Sequence, residues 1–474
     1  MTTLAVREEA AVAPVSEPLE RLELLCDAGS FAPLRTAVLS PHLGHRAGPG
    51  DGVIAGAGQV DGRPVFCYAQ DPAFMGGSLG AAHADSIVRV MHLAGQAGAP
   101  VVGFIESGGA RLQEGHAALA GYGRIFRASV ELSSRAPQIS VVSGVSAGGG
   151  AYSPALTDFV VMTEAARMFL TGPKIVHEAL GEKVSMEELG SPKVHSGNGV
   201  CQLVATDLAD AVSLARQLLG FLPQRLGDAP PPRAESAPRP AVAPDEAVPS
   251  EARRVYDVRD VARAIVDDGL LELSRSWATN VVTALARIDG RAVGIVANQP
   301  RSLGGVIDAV AAEKAALFVN ACDRFGLPLV VLVDTPGFMP GTRQEAGGVI
   351  RHGASLLRAF AGARVPKLTV ILRKAYGGVV ITMNSKELGA ELVFAWPQAE
   401  IGIMAARQAV GIVHRRELAA ANDGESALAA LAAGYAGEHL HAQTAAAAGF
   451  VDEVIEPGQT RERLAWALTS LERQ

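Results

Sequence analysis

The stretch SVVSGVSAGGGAYS, residues 140–153, offers two kinds of chemistry. GVSAG fits the G-x-S-x-G pattern, in which Ser146 would be a nucleophile. The glycines Gly148, Gly149 and Gly150 instead offer bare backbone N–H groups to an oxygen that gains negative charge. A serine hydrolase also needs a downstream acid and then a histidine. Asp158, Asp207, His177 and His195 are available, but no spacing selects them. Two further stretches carry chemistry-bearing residues. ESGGARLQEG, 106–115, suits either a phosphate or pantetheine arm held by its glycines and Arg111, or a tight turn with an exposed Arg. VDTPGF, 333–338, has the D-x-x-G spacing of GTPases, but the chain lacks the P-loop that cradles phosphates. Asp334 then reads as a turn or helix cap, or as a residue that shapes a site.

The elements that must position these residues occur twice. QVDGRPV at 59–65 is matched by RIDGRAV at 287–293, with Asp61 and Asp289 228 residues apart. GAPVVGFIESGG at 98–109 is matched by GLPLVVLVDTPG at 326–337 at the same offset. ISVVSGVSAGG at 139–149 faces LTVILRKAYGG at 368–378 at an offset of 229, and DFVVMTEAARMFLTG at 158–172 faces ELVFAWPQAEIGIMA at 391–405 at 233. An offset held so closely marks an internal duplication. VVGFIES and LVVLVDT are continuous apolar runs, as in strands covered on both faces. Helical patterns such as AAHADSIVRVMHLAGQAG and DAVAAEKAALFVNACDRFG lie between strands, the second stopping at Gly326 before Pro328. Each half is expected to be one mainly parallel α/β domain with right-handed crossovers.

The duplication also weighs Ser146 against the glycines. At the 229 offset Ser146 falls on Ala375, whereas Gly148 and Gly149 fall on Gly377 and Gly378. The shared feature is a glycine pair after a buried strand, which suits either tight helix–strand packing or backbone donors, and its repetition at matching positions favours the donors.

Composition sets the outer limits. The chain has 474 residues, 49% hydrophobic and 19% charged, with a net charge of −7. Two or more domains are expected, and no basic face for nucleic acid. The four cysteines, Cys26, Cys67, Cys201 and Cys322, form no C-x-x-C pair, and the eleven histidines form no H-x-x-x-H pair, so no metal is expected in this chain. Scattered thiols suit a reducing cytoplasm. The N-terminal MTTLAVREEAAVAPVSEP has no apolar core of a signal peptide, and no run reaches the roughly 18 apolar residues of a membrane span. The expected division is a disordered tail over 1–18, an N-terminal domain over 19–222, a Pro/Ala-rich linker over 223–250 and a C-terminal domain over 251–474.

Taken together, SGGARLQEG, SGVSAGGGAYSPAL, GRAVGIVANQP, FVNACDRFGLPLVVLVDTPGFMPG, RKAYGG and FAWPQAEIGIM resemble the carboxyltransferase (β) subunits of biotin-dependent acyl-CoA carboxylases, of acetyl-/propionyl-CoA type. The resemblance implies two tandem crotonase-like α/β domains. The N-terminal domain takes acyl-CoA, with Ser107, Gly108, Gly109, Ala110 and Arg111 beside it. The C-terminal domain takes carboxybiotin, carried on a separate carrier protein, with Tyr376, Gly377, Asp334 and Gly337 on that side. Gly148 and Gly149 match the family's donors to the thioester oxygen, and Gly378 and Val379 match the donors to the biotin ureido oxygen. The product is malonyl-CoA or methylmalonyl-CoA, and no protein general base is needed. The implied partners are a biotin carboxylase/biotin carrier (α) subunit and further copies of this chain, in a hexamer built as three dimers. Where the family often reads YGGAYD, this chain reads YGGVVI, which puts Ile381 in place of Asp on the floor of the acyl pocket. IMAARQAV at 403–410, with Arg407, also departs from the family's pattern. Two other readings share the fold: a biotin-dependent acyl-CoA decarboxylase subunit and a non-catalytic scaffold.

Overall fold

The computed structural model describes residues 18–234, 242–249, 251, 254–267 and 269–471. The chain divides into two compact units, Met1–Asp228 and Ala229–Gln474. The first opens with helix α1 (Pro18–Leu25). Its strands are β1 (Ala32–Leu34), β2 (Val53–Val60), β3 (Arg63–Gln70), β4 (Val101–Ser107), β5 (Gln138–Ala147), β6 (Phe159–Thr163), β7 (Arg167–Phe169) and β8 (Leu203–Ala205). They form one sheet in the order β1-β2-β3-β4-β5-β6-β8, with β7 added to β5. The second unit repeats this with β9 (Leu271–Leu273), β10 (Val281–Ile288), β11 (Arg291–Asn298), β12 (Leu329–Thr335), β13 (Lys367–Tyr376), β14 (Leu392–Ala395), β15 (Glu400–Gly402) and β16 (Glu453–Val454). Their order is β9-β10-β11-β12-β13-β14-β16, with β15 added to β13. The expected duplication is therefore a duplication of topology.

Local physics explains why the repeated words are where they are. Val60 pairs with Arg63 across a two-residue loop, and Asp61 and Gly62 both have positive φ, at 51° and 74°. This is the Asp-Gly hairpin turn whose twist suits flanking antiparallel strands. Asp289 and Gly290 repeat it at 50° and 75°. The Asp27 carboxylate accepts the N–H groups of Asp61 and Gly62 at 3.1 and 2.8 Å. Asp267 does the same for Asp289 and Gly290 at 3.1 and 2.8 Å. The remaining pairings, from β3 and β11 onward, are parallel. Every residue of β4 and β12 is buried, as expected for strands covered on both faces. Helix α2 (Ala81–Ala97) joins β3 to β4 and ends at Gly98, whose φ is 60°. Its counterpart, the helix Ala309–Phe325, ends at Gly326 with φ 68°. Helix α3 (His116–Ser133) then joins β4 to β5.

The long strands β5 and β13 change partners midway. Ile139–Val142 pair with β6, whereas Val145–Ala147 pair with β7. Leu368–Ile371 pair with β14, whereas Lys374–Tyr376 pair with β15. Each sheet thus branches, and each glycine stretch stands at the end of a branch.

The stretch expected to be a bare linker is exposed or half-buried over most of its described residues, but it touches the fold at several points. Gln224 Nε2 donates to Pro64 O at 2.7 Å, and the Leu226 N–H bonds Arg135 O at 2.8 Å. Pro244–Ala247 is helical, and Ala247 and Val248 join the core of the second unit. A Pro/Ala-rich segment needs only a few such contacts to lie down on a neighbouring domain. Residues 235–241 and 250 lie outside the described residues, as do 1–17 of the expected tail. All four cysteines are buried and none is in a disulfide, although the Cys26 and Cys67 thiols meet at 3.9 Å. Among the described residues no helix is long and apolar enough to cross a membrane.

Candidate active site

In the first unit β5 runs into Gly148 and then into helix α4 (Gly149–Ala155). Gly148 has φ 60° and ψ −124°, a conformation that favours glycine. Its N–H is used inside the fold, donated to Phe169 O on β7 at 3.0 Å. This corrects the expectation that Gly148 is a donor: the branch strand takes its amide, and Gly148 makes the turn. The amides that α4 leaves without a backbone acceptor are those of Gly149 and Gly150. The second unit has the same geometry. Gly377, φ 68°, donates to Gly402 O on β15 at 2.9 Å and makes the turn, while the Gly378 and Val379 amides have no partner among the described residues. The offset of 229 that carries Gly149 to Gly378 carries Gly150 to Val379. The repeat therefore aligns these two pairs of amides, the first lying one residue beyond the pair that the resemblance implies.

The Ser146 hydroxyl is wholly buried, with no hydrogen-bond partner. A Cβ on Gly150 would come within 2.9 Å of it. It lies under the first turn of α4, where it cannot attack a substrate.

The loops beside the glycine stretches repeat one another. After a bulge in each strand, Gly109 N donates to Ser107 Oγ at 3.2 Å, and Gly337 N donates to Thr335 Oγ1 at 3.2 Å. Leu79 N bonds Gly109 O at 2.8 Å, and Ile307 N bonds Gly337 O at 3.1 Å. Gly108 N is taken by Gly76 O at 3.0 Å. The amides of 108 and 109 hold the loop and are not open to a ligand. Ala110 and Phe338 bridge to Leu79 and Ile307 in the same manner.

Arg111 also departs from expectation. Its side chain is fully buried, bonded to Asp51 at 2.5 Å, to Glu114 at 2.9 Å and to the carbonyls of Asp51 and Ser78. Two acceptor-rich loops hold both terminal nitrogens of this buried guanidinium, so it staples the fold and does not reach a substrate. Asp334 is buried too, on the β12 face that carries Val330 and Leu332 into the core. It accepts from Arg373 Nε at 3.1 Å, and burial pushes its carboxyl up. It anchors the strand end and does not line the biotin side. In the first unit Glu106 occupies the matching position, but its cation is Arg21 of α1 at 2.8 Å. Gly144 stands where Arg373 stands in the second copy, and a Cβ there would strike Glu106 at 2.0 Å. The Tyr376 hydroxyl is bonded to Glu400 on the branch strand, which leaves only its ring for the site.

What remains open around the glycine turns is apolar and occupies matching positions. Tyr152 and Ile381, one turn into the two helices, are 52% and 50% exposed. Leu170 and Ile403, just beyond β7 and β15, are 53% and 78% exposed. Tyr122 of α3 was not legible in the sequence. Its ring lies against Gly149 so closely that a Cβ there would be 2.7 Å from Cγ, and its hydroxyl is 3.1 Å from Ser107 Oγ. Burial raises its phenol pKa, while bonds from Ser107 and the Gly150 N–H act in the opposite direction. At the repeat offset it meets Arg351, so the duplication carries no trace of it.

Two α/β copies each end a branched strand in a glycine turn followed by amides without a backbone acceptor. The chain belongs to the carboxyl transferase domain family, whose model matches residues 17–474. The methylmalonyl-CoA carboxyltransferase 12S subunit of Propionibacterium freudenreichii subsp. shermanii is 45% identical over 465 residues, covering 95% of this chain and 87% of that protein. The carboxyltransferase subunit of propionyl-CoA carboxylase from Haloferax mediterranei is 45% identical over 457 residues, covering 94% and 88%. The crystal structure of the transcarboxylase 12S hexamer, with methylmalonyl-coenzyme A and methylmalonic acid bound, matches with a TM-score of 0.92 at 44% identity, over 97% of this chain and 90% of that one. The fold is two tandem crotonase-like domains, and the chain is a carboxyltransferase of the biotin-dependent acyl-CoA carboxylase type.

Proposed function

We propose that the chain moves a carboxyl group from carboxybiotin on a separate carrier protein to the α-carbon of a short acyl-CoA. The observation that carries this reading is the repeated pair of amides left without a backbone acceptor, Gly149/Gly150 and Gly378/Val379, beyond glycine turns whose own N–H groups are occupied. Carboxybiotin supplies the carboxyl group. The first pair would hold the thioester oxygen as the α-carbon gives its proton to the biotin nitrogen freed of the carboxyl group, and negative charge moves onto that oxygen. The second pair suits a neutral urea oxygen, because two N–H donors with apolar flanks at Ile381 and Ile403 favour developing charge without requiring a full one. Leu170 and Tyr152 give the first pair a similar rim, which excludes water from an enolate. The apolar Ile381 fits an aliphatic acyl tail, so acetyl-CoA and propionyl-CoA are the proposed substrates. A biotin carboxylase/carrier subunit and copies of this chain, in a hexamer of dimers in the cytoplasm, are the proposed partners.

The test is a reconstituted assay with biotinylated carrier, biotin carboxylase, ATP, bicarbonate and acetyl-, propionyl- or butyryl-CoA. Carboxylation of at least one is expected, and inactivity with all three would sink the proposal. Gly378 gives the assay a control on the backbone itself. Its φ is −59°, within proline's range, and a Cβ there meets nothing nearer than Phe338 at 3.9 Å. Gly378→Ala should retain activity within a few fold, whereas Gly378→Pro, which removes the N–H, should lose roughly 100-fold or more.

A further inference from the structure

We propose that Tyr122 is a positioning residue for the acyl-side amides, acting through a hydroxyl chain with Ser107 that ties the two walls of the site together. The proposal rests on the carboxyltransferase reading above. One wall is the 107–110 loop, and the other is the 148–150 turn. Gly109 N donates to Ser107 Oγ at 3.2 Å, and Ser107 Oγ meets the Tyr122 hydroxyl at 3.1 Å. The same Tyr122 ring presses on the Cα of Gly149, leaving no room for a methyl group. On its other side the ring meets Phe126 at 5.8 Å, and Phe126 meets Tyr152 of α4 edge-on at 6.1 Å. Helix α3 therefore grips α4 through three aromatic rings and grips the 107–110 loop through one hydroxyl.

The second copy shows that the fold does not require this device. Thr335 stands at the place of Ser107 and accepts from Gly337 N at 3.2 Å, but its hydroxyl turns back to Gly337 O at 3.3 Å. Among the described residues no side chain bonds it. Among the described residues the ring that comes within 4 Å of a Cβ built on Gly378 is Phe338, at 3.9 Å and without a hydroxyl. The two copies thus share the glycine turn but not the clamp. The clamped copy is the one proposed to hold a thioester oxygen through a large change in charge, where a displaced amide costs most.

Tyr122→Phe keeps the ring stack and removes the hydroxyl. In the reconstituted holoenzyme it should lower kcat for acyl-CoA carboxylation roughly 3- to 10-fold with KM within twofold, because the lost alignment matters in the transition state. Ser107→Ala should act in the same direction, and the double variant should lose no more than the worse single one, since both cut one chain. Hydrogen exchange read by mass spectrometry should speed up over 147–155 in Tyr122→Phe and stay unchanged over 376–383. An unchanged kcat, losses that multiply in the double variant, or a rise in KM alone would overturn the proposal. If the unaltered protein carboxylates no acyl-CoA, the functional reading fails, and the exchange experiment still decides the clamp: equal exchange over 147–155 rejects it.

Discussion

At the scale of single residues, the site is made of groups with almost no side chain. Gly149 has to be glycine because the Tyr122 ring occupies the place of its Cβ, 2.7 Å from Cγ. Gly149→Ala must therefore shift either the ring or the turn. Turnover of acyl-CoA should fall roughly 10-fold or more in the same reconstituted assay. Ser146 sits one turn away but only fills space under Gly150. Ser146→Ala removes an unpartnered buried hydroxyl and should leave turnover within about twofold of the parent. Loss of all activity in Ser146→Ala would restore the serine as a nucleophile.

At the scale of elements, each copy buries a carboxylate at the end of its third long strand and neutralises it differently. Glu106 takes Arg21 from α1, and Asp334 takes Arg373 from the neighbouring strand. Arg21→Met should leave Glu106 buried without its cation, which costs about 3–5 kcal/mol in chemical denaturation at pH 7. Burial already pushes this carboxyl up, so the cost should shrink as pH falls and Glu106 takes a proton. Helix α2 carries a group of opposite sign. His83 is fully buried beside Arg111, and burial first, then that charge, brings it down to about 3. The unfolded chain binds this proton near pH 6.5 and the folded chain does not. His83 therefore contributes its stability above pH 6.5 and loses it as pH falls toward 3. Between pH 7 and 5 the parent should lose about 2 kcal/mol more than His83→Gln, which keeps an acceptor for Gln70. Equal pH slopes for the two proteins would show that His83 takes up its proton in the fold as readily as in the unfolded chain.

At the scale of the whole molecule, duplication gave one scaffold twice, and the proposed function assigns the two copies different tasks. The copies share strand order, hairpin turns, branch strands and glycine turns, and they differ in what surrounds the amides. The first copy has the Tyr122 and Ser107 contacts of the proposed clamp, and the copy with Phe338 and Thr335 lacks them. Exposed apolar residues at matching positions around both turns, Leu170 and Ile403 among them, leave surface that a further protein chain can cover. The proposed assembly predicts a light-scattering mass of six 49.0 kDa chains. A stable monomer that is nonetheless fully active would exclude that assembly as the working unit.

The sequence by itself determined the repeat, the strand and helix order, the Asp-Gly hairpins and the backbone character of the chemistry. All of these are local or periodic: φ preferences at Gly62 and Gly290, unbroken apolar runs in β4 and β12, and an offset kept over hundreds of residues. Only the tertiary structure decided which amides are free. Gly148 and Gly149 look alike in sequence, and they differ because β7 brings Phe169 O to one and not to the other. Arg111 and Asp334 stand beside glycines in their loops, yet both face inward, because buried charges from distant segments, Asp51 and Arg373, claim them. Tyr122 has no mark in the repeat, since the clamp belongs to one copy. Hydrogen-bond partners far apart along the chain are set by packing, and no spacing between neighbouring residues encodes them.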